Sequence, residues 1–230
     1  MLPPGQVPRV DFPRFGLTAY AERYPARPRD RSIALTLLSA EPFCLADALD
    51  GLKRTTLEAD FHCVTTWSKL GLRWGGVKFS EFFEHRVAPL LNQSNPLVGV
   101  VLRAQDGYRT TMLLEDLLAD DVLLVDELNG EPLSIEHGAP LRLVAPQHYG
   151  YKSLKHLAKL EFCAHAPVIQ HGALAFLDHP RARVALEERG QWFPGWLLRR
   201  FYRLFVTRTA ERFRRGMLEY QRPSDGATDA

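Results

Sequence analysis

The chain has 230 residues, 46% of them hydrophobic and 24% charged, with a formal net charge of +2. That is the make-up of one folded domain with a substantial core, and it is too mildly basic to imply nucleic acid without a concentrated basic stripe. Cys44, Cys63 and Cys163 are too few and too widely spaced for a disulfide framework or a four-thiolate zinc site.

Prolines at positions 3, 4, 8, 13, 25 and 28 predict that residues 1–32 form an extended arm lying over a core, without regular secondary structure. The opening Met1-Leu2-Pro3-Pro4-Gly5 lacks the charged and apolar regions of a secretory signal, and no apolar stretch is long enough to cross a bilayer. Cytoplasmic residence is therefore the expectation, and the Asn92-Gln93-Ser94 sequon is then irrelevant. Ile33 to Leu38 reads as a strand, Leu45 to Leu49 as a short turn or helix, and Thr55 to Leu57 as a strand, with Cys63 just beyond at a strand end. Ser80-Glu81-Phe82-Phe83-Glu84 reads as a helix opening capped by Ser80. Val98 to Leu102 and Tyr108 to Met112 are strands joined by a turn at Asp106-Gly107. Leu114 to Leu118 is a short helix. Val122 to Asp126, Leu141 to Val144 and Leu154 to Phe162 return to strand character, with a turn at Asn129-Gly130. Strands and short helices mix without the alternation of a doubly wound parallel sheet, so the fold class is α+β.

Residues 33–190 form the main domain in this reading, residues 191–220 a basic helical extension, and residues 221–230 a disordered tail. In the extension, Leu197, Phe201, Leu204 and Phe205 recur at helical spacing. Seven arginines stand against the single acid Glu211 between Pro194 and Arg215. Such a helix suits an acidic membrane surface, an acidic protein or nucleic acid. The preferred expectation is a terminal helix that packs Leu197, Phe201 and Phe205 on its own core and leaves its basic face solvated, with peripheral membrane contact as the alternative. Phe201, Tyr202 and Phe205 follow helix spacing and make no base-stacking platform, so no nucleic-acid partner is expected.

Two segments carry chemistry. Phe61-His62-Cys63-Val64-Thr65-Thr66-Trp67-Ser68 presents one thiol, a soft ligand favoured by transition metals. Tyr149-Gly150-Tyr151-Lys152-Ser153-Leu154-Lys155 presents backbone donors, a hydroxyl and two ammonium groups suited to a phosphorylated cofactor. Taken alone, Cys63 reads as a small buried hydrophobe and the lysines as solvated side chains at a strand start. No dinucleotide fingerprint, phosphate-binding P-loop, paired-histidine zinc motif or nucleophile elbow is present. A Cys63–His62 nucleophile–base pair is disfavoured, because adjacent strand residues point to opposite faces.

Asp60 to Ser68, followed by Arg73-Trp74-Gly75-Gly76-Val77, closely resembles the cofactor loop of molybdopterin-dependent oxidoreductases of sulfite oxidase type, nearest the bacterial sulfoxide-reductase-like branch. Asp120 to Asp126, Asn129-Gly130-Glu131-Pro132-Leu133, Glu136 to Val144 and Tyr149 to Lys155 resemble successive later segments. The resemblance runs from about Pro13 to Phe162, and Leu186-Glu187-Glu188-Arg189-Gly190 is similar to the family's closing motif. It implies a sulfite-oxidase-like molybdopterin-binding domain of mixed sheets and short helices, plus the C-terminal helix, holding one molybdenum-molybdopterin cofactor per chain.

By this resemblance Cys63 is the catalytic and metal position, binding molybdenum beside two dithiolene sulfurs and terminal oxygens, so one protein thiol suffices. Lys152, Ser153 and Lys155, with Gly150 and Tyr151 in the same segment, are implied to hold the phosphate tail. Convergence of the two lysines on one phosphate requires a turn near Ser153. Arg142 aligns with a cofactor-binding arginine, and His137 stands where the sulfoxide-reductase-like branch has an asparagine. His62 bonds either the pterin or the core, with cofactor contact preferred. Arg14 and Phe15 lie in a segment that resembles an arm closing over the pterin. Val64-Thr65-Thr66-Trp67 departs from the glycine-asparagine-arginine-rich sequence of sulfite oxidases proper, which weakens sulfite as a substrate. The implied function is two-electron oxygen-atom transfer on a small-molecule sulfoxide, N-oxide or related oxo substrate. No haem-binding segment or flavin motif is evident, so electrons come from a separate electron-transfer protein. The alternative is a non-catalytic molybdopterin-binding carrier or scaffold.

Overall fold

A computed structural model describes residues 2–25, 31–38, 40–91, 96–168 and 177–222. Pro28, the Asn92-Gln93-Ser94 sequon and the expected tail from Pro223 onward lie outside the described residues.

The longest hairpin is built from β4 (Arg54–His62) and β5 (Trp67–Lys78). In β4, exposed Arg54, Thr56 and Glu58 alternate with half-buried Thr55, Leu57 and Ala59, the period of a one-sided strand. Around this hairpin stands a six-stranded mixed sheet. β1 (Val7–Pro8) runs parallel to the start of β5, β8 (Leu123–Leu128) runs antiparallel to its end, and β10 (Arg142–Val144) follows β8. The short β9 (Glu131–Pro132) turns back on β8. A five-stranded sheet has the order β3-β2-β11-β6-β7, formed by Phe43–Leu45, Ile33–Leu37, Leu157–Cys163, Gly99–Ala104 and Arg109–Leu113 respectively. Short helices α1 (Phe79–Phe82) and α2 (Leu114–Leu117) complete an α+β fold.

Several expectations need adjustment. The arm contains β1 and a one-turn helix at Thr18–Tyr20. Pro8 fits a strand because the bonds come from the amides on either side of it, Val7 N–H to Thr66 O and Arg9 N–H to Ser68 O. Phe43–Leu45 forms an additional strand paired with Ile33–Leu35, and the expected turn at Leu45 to Leu49 follows it as turn residues 46–50. Ser80 lies inside α1, not at its cap, and Lys78 precedes the helix without a capping side chain. β11 starts at Leu157 because residues 149–156 are looped.

β10 and the first half of β8, Leu123 to Val125, are buried on both faces. Leu124 and Leu143 join the larger core with Ile33, Val77, Phe79, Leu102 and Leu160, whereas Leu123, Val125 and Val144 join Leu72 and Trp74 in a second cluster. Arg142 therefore projects from one of the least hydrated strands in the molecule.

The extension forms two helices, α3 (Gly195–Arg203) and α4 (Val206–Gln221). α4 lies on the arm, with Phe213 stacked near Phe15 at 6.2 Å and Tyr220 on Tyr24 at 4.1 Å. The expected inward stripe does not face in. Leu197, Phe201 and Phe205 are 43%, 47% and 44% exposed, and the buried positions of α3 are Leu198 and Tyr202. Contact with Glu187 sets this rotation, because Gly195 abuts its backbone and Arg199 pairs with its carboxylate at 3.4 Å. No described helix is long and apolar enough to cross a membrane.

Candidate cofactor site

Cys63 opens the four-residue loop between β4 and β5, closed by Cys63 N–H donating to Trp67 O at 2.8 Å. Thr66 turns the chain with φ of 86°, a conformation that costs a β-branched residue and persists only where neighbours hold it. Those neighbours form a buried network. Gln6 Nε2 donates to Cys63 O at 3.1 Å, Ser68 Oγ donates to Gln6 Oε1 at 3.0 Å, and His62 Nδ1 lies 2.8 Å from Ser68 Oγ. With the serine proton directed to Gln6, Nδ1 of His62 is the donor to Ser68 Oγ, and burial lowers the pKa of this ring, disfavouring its charged form. Fully buried Arg189 donates to Val64 O and to Pro4 O, pairs with Glu187, and stacks over Tyr149 at 4.9 Å.

The Cys63 thiol is buried, with Sγ 3.1 Å from Thr65 Oγ1. Burial pushes its pKa up, against smaller opposing effects from Thr65, Arg189 and Lys155. A bound metal cation would reverse that balance and hold the thiolate.

The basic segment meets this loop directly. Gly150 N–H donates to His62 O at 2.8 Å, and a Cβ on Gly150 would drive into the Phe61 ring, reaching Cε1 at 2.7 Å. Only glycine permits that approach. Lys152 N–H then bonds Tyr149 O, and Ser153 N–H bonds Gly150 O, which supplies the expected turn.

The turn sends the two lysines apart. Lys152 is fully buried and donates to Thr111 O at 2.9 Å, with Asp178 Oδ1 at 3.6 Å. It pins the loop to the five-stranded sheet and does not share a phosphate site with Lys155. Half-buried Lys155 donates to Glu136 O at 2.7 Å, and its stem packs with that of Arg142 around Gly138, whose φ is 108°. Desolvation, then the charges of Arg142 and Arg14, lower the Lys155 pKa well below its usual value.

Arg142 has no exposed surface; its guanidinium hydrogen-bonds to carbonyls, His137 O at 2.8 Å, Ser153 O at 3.2 Å and Leu143 O at 3.4 Å, and lies over the Trp74 ring at 5.0 Å. Among the described residues no carboxylate pairs with it, and burial pulls its pKa to about 9. His137 stacks on Phe12 at 4.6 Å, and its buried Nδ1 lacks a hydrogen-bond partner. Burial, then Lys155 and Arg142, depress its pKa to about 3.

The other expected residues act in the surroundings. Ser153 Oγ accepts from Ala145 N–H at 3.1 Å. Tyr151 Oη accepts from His179 N–H at 3.0 Å. Arg14 donates to the carbonyls of Tyr20, Ala21 and Arg23, and its guanidinium lies over Tyr24 at 4.1 Å. It therefore organises the arm, and Phe15 packs beside it against Trp67 and Phe213. A cleft of about 530 Å³ runs between this arm and α4, lined by Phe12, Arg14, Glu136 and Phe213.

An anionic, metal-bearing ligand fits these residues. Among the described residues no carboxylate makes a direct ion pair with Arg142 or Lys155, and two of the buried polar atoms without hydrogen-bond partners, His137 Nδ1 and Trp67 Nε1, belong to the cation cluster and the thiol loop. Among the described residues no three His, Cys, Asp or Glu side chains converge on a metal position, so Cys63 would act with ligands brought by the group itself. Gln6 and Phe12 carry no motif in the sequence, whereas Ser68 closes the Asp60 to Ser68 segment. Arg189 lies in the segment similar to a closing motif, which was its only signal.

A family model described as the oxidoreductase molybdopterin binding domain matches residues 28–168. The chain is 41% identical over 103 residues to the uncharacterized oxidoreductase YuiH of Bacillus subtilis strain 168, covering 45% of this chain and 50% of that protein. It is 29% identical over 168 residues to the protein-methionine-sulfoxide reductase catalytic subunit MsrP of Xanthomonas campestris pv. campestris, covering 63% and 52%. To MsrP of Gluconobacter oxydans it is 28% identical over 154 residues, covering 55% and 48%. The chain thus spans about half the length of these relatives. Among solved structures, the sulfane dehydrogenase SoxCD of Paracoccus pantotrophus shares the fold, with a TM-score of 0.52 and 21% identity, over 66% of this chain and 43% of that one.

Proposed function

Because the chain belongs to the oxidoreductase molybdopterin-binding domain family, we propose that it is a molybdenum-cofactor-dependent oxidoreductase holding one cofactor per chain and performing two-electron oxygen-atom transfer. A sulfoxide is the favoured substrate class, followed by N-oxides. The observation that carries this reading is the Gly150 N–H to His62 O bond, which joins the buried thiol loop to the cluster of Arg142, Lys155 and His137.

Cys63 would ligate the metal, while Lys155, Arg142 and His137 would bind the anionic end. When bound, the group supplies the redox chemistry and accepts the transferred oxygen. The chain's own residues position and shield. The Gln6–Ser68–His62 network and Arg189 hold the thiol loop in its strained turn. Phe12, Phe61 and Trp67 pack edge-on or tilted beside it and exclude water. His137, neutral at working pH, offers either a donor or an acceptor from Nδ1.

The name carried by the Xanthomonas and Gluconobacter relatives supports a sulfoxide. So does the sequence Val64-Thr65-Thr66-Trp67, which places no cation directly after the thiol. Reduction of a sulfoxide consumes two electrons and two protons and releases water, so a separate electron-transfer protein is part of the proposal. The test is protein purified from cofactor-competent cells, assayed for molybdenum and pterin and then for reduction of methionine sulfoxide, an N-oxide and nitrate by a reduced viologen, with sulfite oxidation alongside. Near-stoichiometric metal with methionine sulfoxide turnover is expected. Metal without turnover on any of these would favour a carrier, and protein lacking both metal and pterin would sink the reading.

A further inference from the structure

The apolar stripe of the C-terminal extension lies outside the core. Trp196, Leu197, Phe201, Leu204 and Phe205 are 52%, 43%, 47%, 77% and 44% exposed. Leu197, Phe201 and Leu204 share one side of α3 and its end by their spacing of four and three, apart from the buried Leu198–Tyr202 edge. Arg200 and Arg203 flank the stripe, also exposed, and together with Arg208 they form no ion pair with the described residues. α3 contains no acidic residue.

We propose that this face is a docking surface for an anionic lipid bilayer. Protruding Trp, Phe and Leu side chains beside unmatched arginines are what an interfacial helix presents: apolar groups to enter the acyl boundary and cations to meet anionic headgroups. A second copy is a poorer occupant. Face-to-face pairing would oppose Arg200 and Arg203 with their own counterparts and supply no acid to match them. α3 has 9 residues, too few to cross a bilayer, so this helix would lie in the interface. The inner edge of the same helix packs on Glu187, which pairs with Arg189 of the thiol-loop clamp. The docked face therefore backs directly onto the candidate site.

The experiment is vesicle flotation of the full chain, comparing phosphatidylcholine with an equal mixture of phosphatidylcholine and phosphatidylglycerol. Binding to the anionic vesicles is expected to be at least about tenfold stronger and to weaken with added salt. Arg200→Glu/Arg203→Glu should remove the preference for phosphatidylglycerol, and Leu197→Ser/Leu204→Ser should lower binding to both compositions by about tenfold or more. These side chains are exposed, so thermal melting should not change. If the leucine variant melts early, the arginine variant alone carries the test. Equal binding to both vesicles, no binding to either, or a dimer in sedimentation that Leu197→Ser/Leu204→Ser dissolves would overturn the proposal. Capture of an acidic protein without vesicle binding would overturn it too.

Discussion

Gly150 N–H donates to His62 O at 2.8 Å, so the glycine of the basic loop is the hydrogen-bond neighbour of the residue preceding the candidate metal thiol. A methyl group at position 150 would collide with Phe61, whose ring also packs on Phe12 and lies 5.8 Å from the Arg142 guanidinium. Gly150→Ala should therefore cost about 1–3 kcal/mol by overpacking, read as a lower urea midpoint, and should reduce molybdenum content. Adding Phe61→Leu should restore part of both. Full stability of the single variant would refute the close contact.

The two lysines of the loop should separate by phenotype. Lys155→Met removes a cation from the Arg142–His137 cluster and should cut pterin content sharply while leaving the melting temperature near that of the parent. Lys152→Met instead leaves Thr111 O without its donor and removes the cation beside Asp178 beneath the loop. It should cost about 2–4 kcal/mol of stability, with pterin content per folded molecule largely retained. Pterin analysis together with thermal melting checks both, and the reverse pattern would exchange the two roles.

Much of this arrangement was legible before the fold was known. The ladder β6–β7 with its turn at Asp106-Gly107, the strands β8 and β10, and Cys63 at a strand end follow from local pattern. The local pattern does not mark β5 as a strand, because Gly71, Gly75 and Gly76 interrupt its apolar residues; they sit in a paired strand with a bulge. The divergence of Lys152 and Lys155 depends on the sense of one turn, and the stripe on α3 faces outward because of contact with Glu187. Neither is encoded in residue spacing. Gln6 and Arg189 reach the thiol loop across long sequence separations, and only the folded chain brings them there.

Arg189 should control the mobility of the Cys63 loop. Arg189→Met removes the donors to Val64 O and Pro4 O and leaves Glu187 with Arg199 as its remaining cation. A loss of about 2–4 kcal/mol is expected. In the metal-free protein, Cys63 should also react several-fold faster with an aromatic disulfide, since the strained turn is then less firmly held. Unchanged reactivity would assign Arg189 to packing alone.

Cys63→Ser should keep the fold, because Sγ has one weak polar contact, with Thr65, and serine preserves it. The melting temperature of the metal-free protein should shift little. Molybdenum retention and oxygen-atom transfer should be lost, and unchanged turnover would refute the ligand assignment.

The metal-free protein should lose stability as pH falls below about 6.5. The pKa of His156 is lowered to about 4 and that of His137 to about 3, in both cases chiefly by burial. Above pH 6.5 both are neutral folded and unfolded, and neither affects stability. Below it, the unfolded chain takes up protons that the folded chain refuses. Each histidine then costs about 1.4 kcal/mol per pH unit until its folded pKa is reached. His156→Asn isolates one contribution. Asparagine tolerates the φ of 54° at this position and replaces the ring's Nδ1 donor to Ala139 O, observed at 2.7 Å. Urea titrations at pH 7 and pH 5 should show the variant near the parent at pH 7 and losing distinctly less than the parent at pH 5. Parallel losses in the two proteins would mean that His156 is already protonated in the fold, and the acid sensitivity would then lie elsewhere.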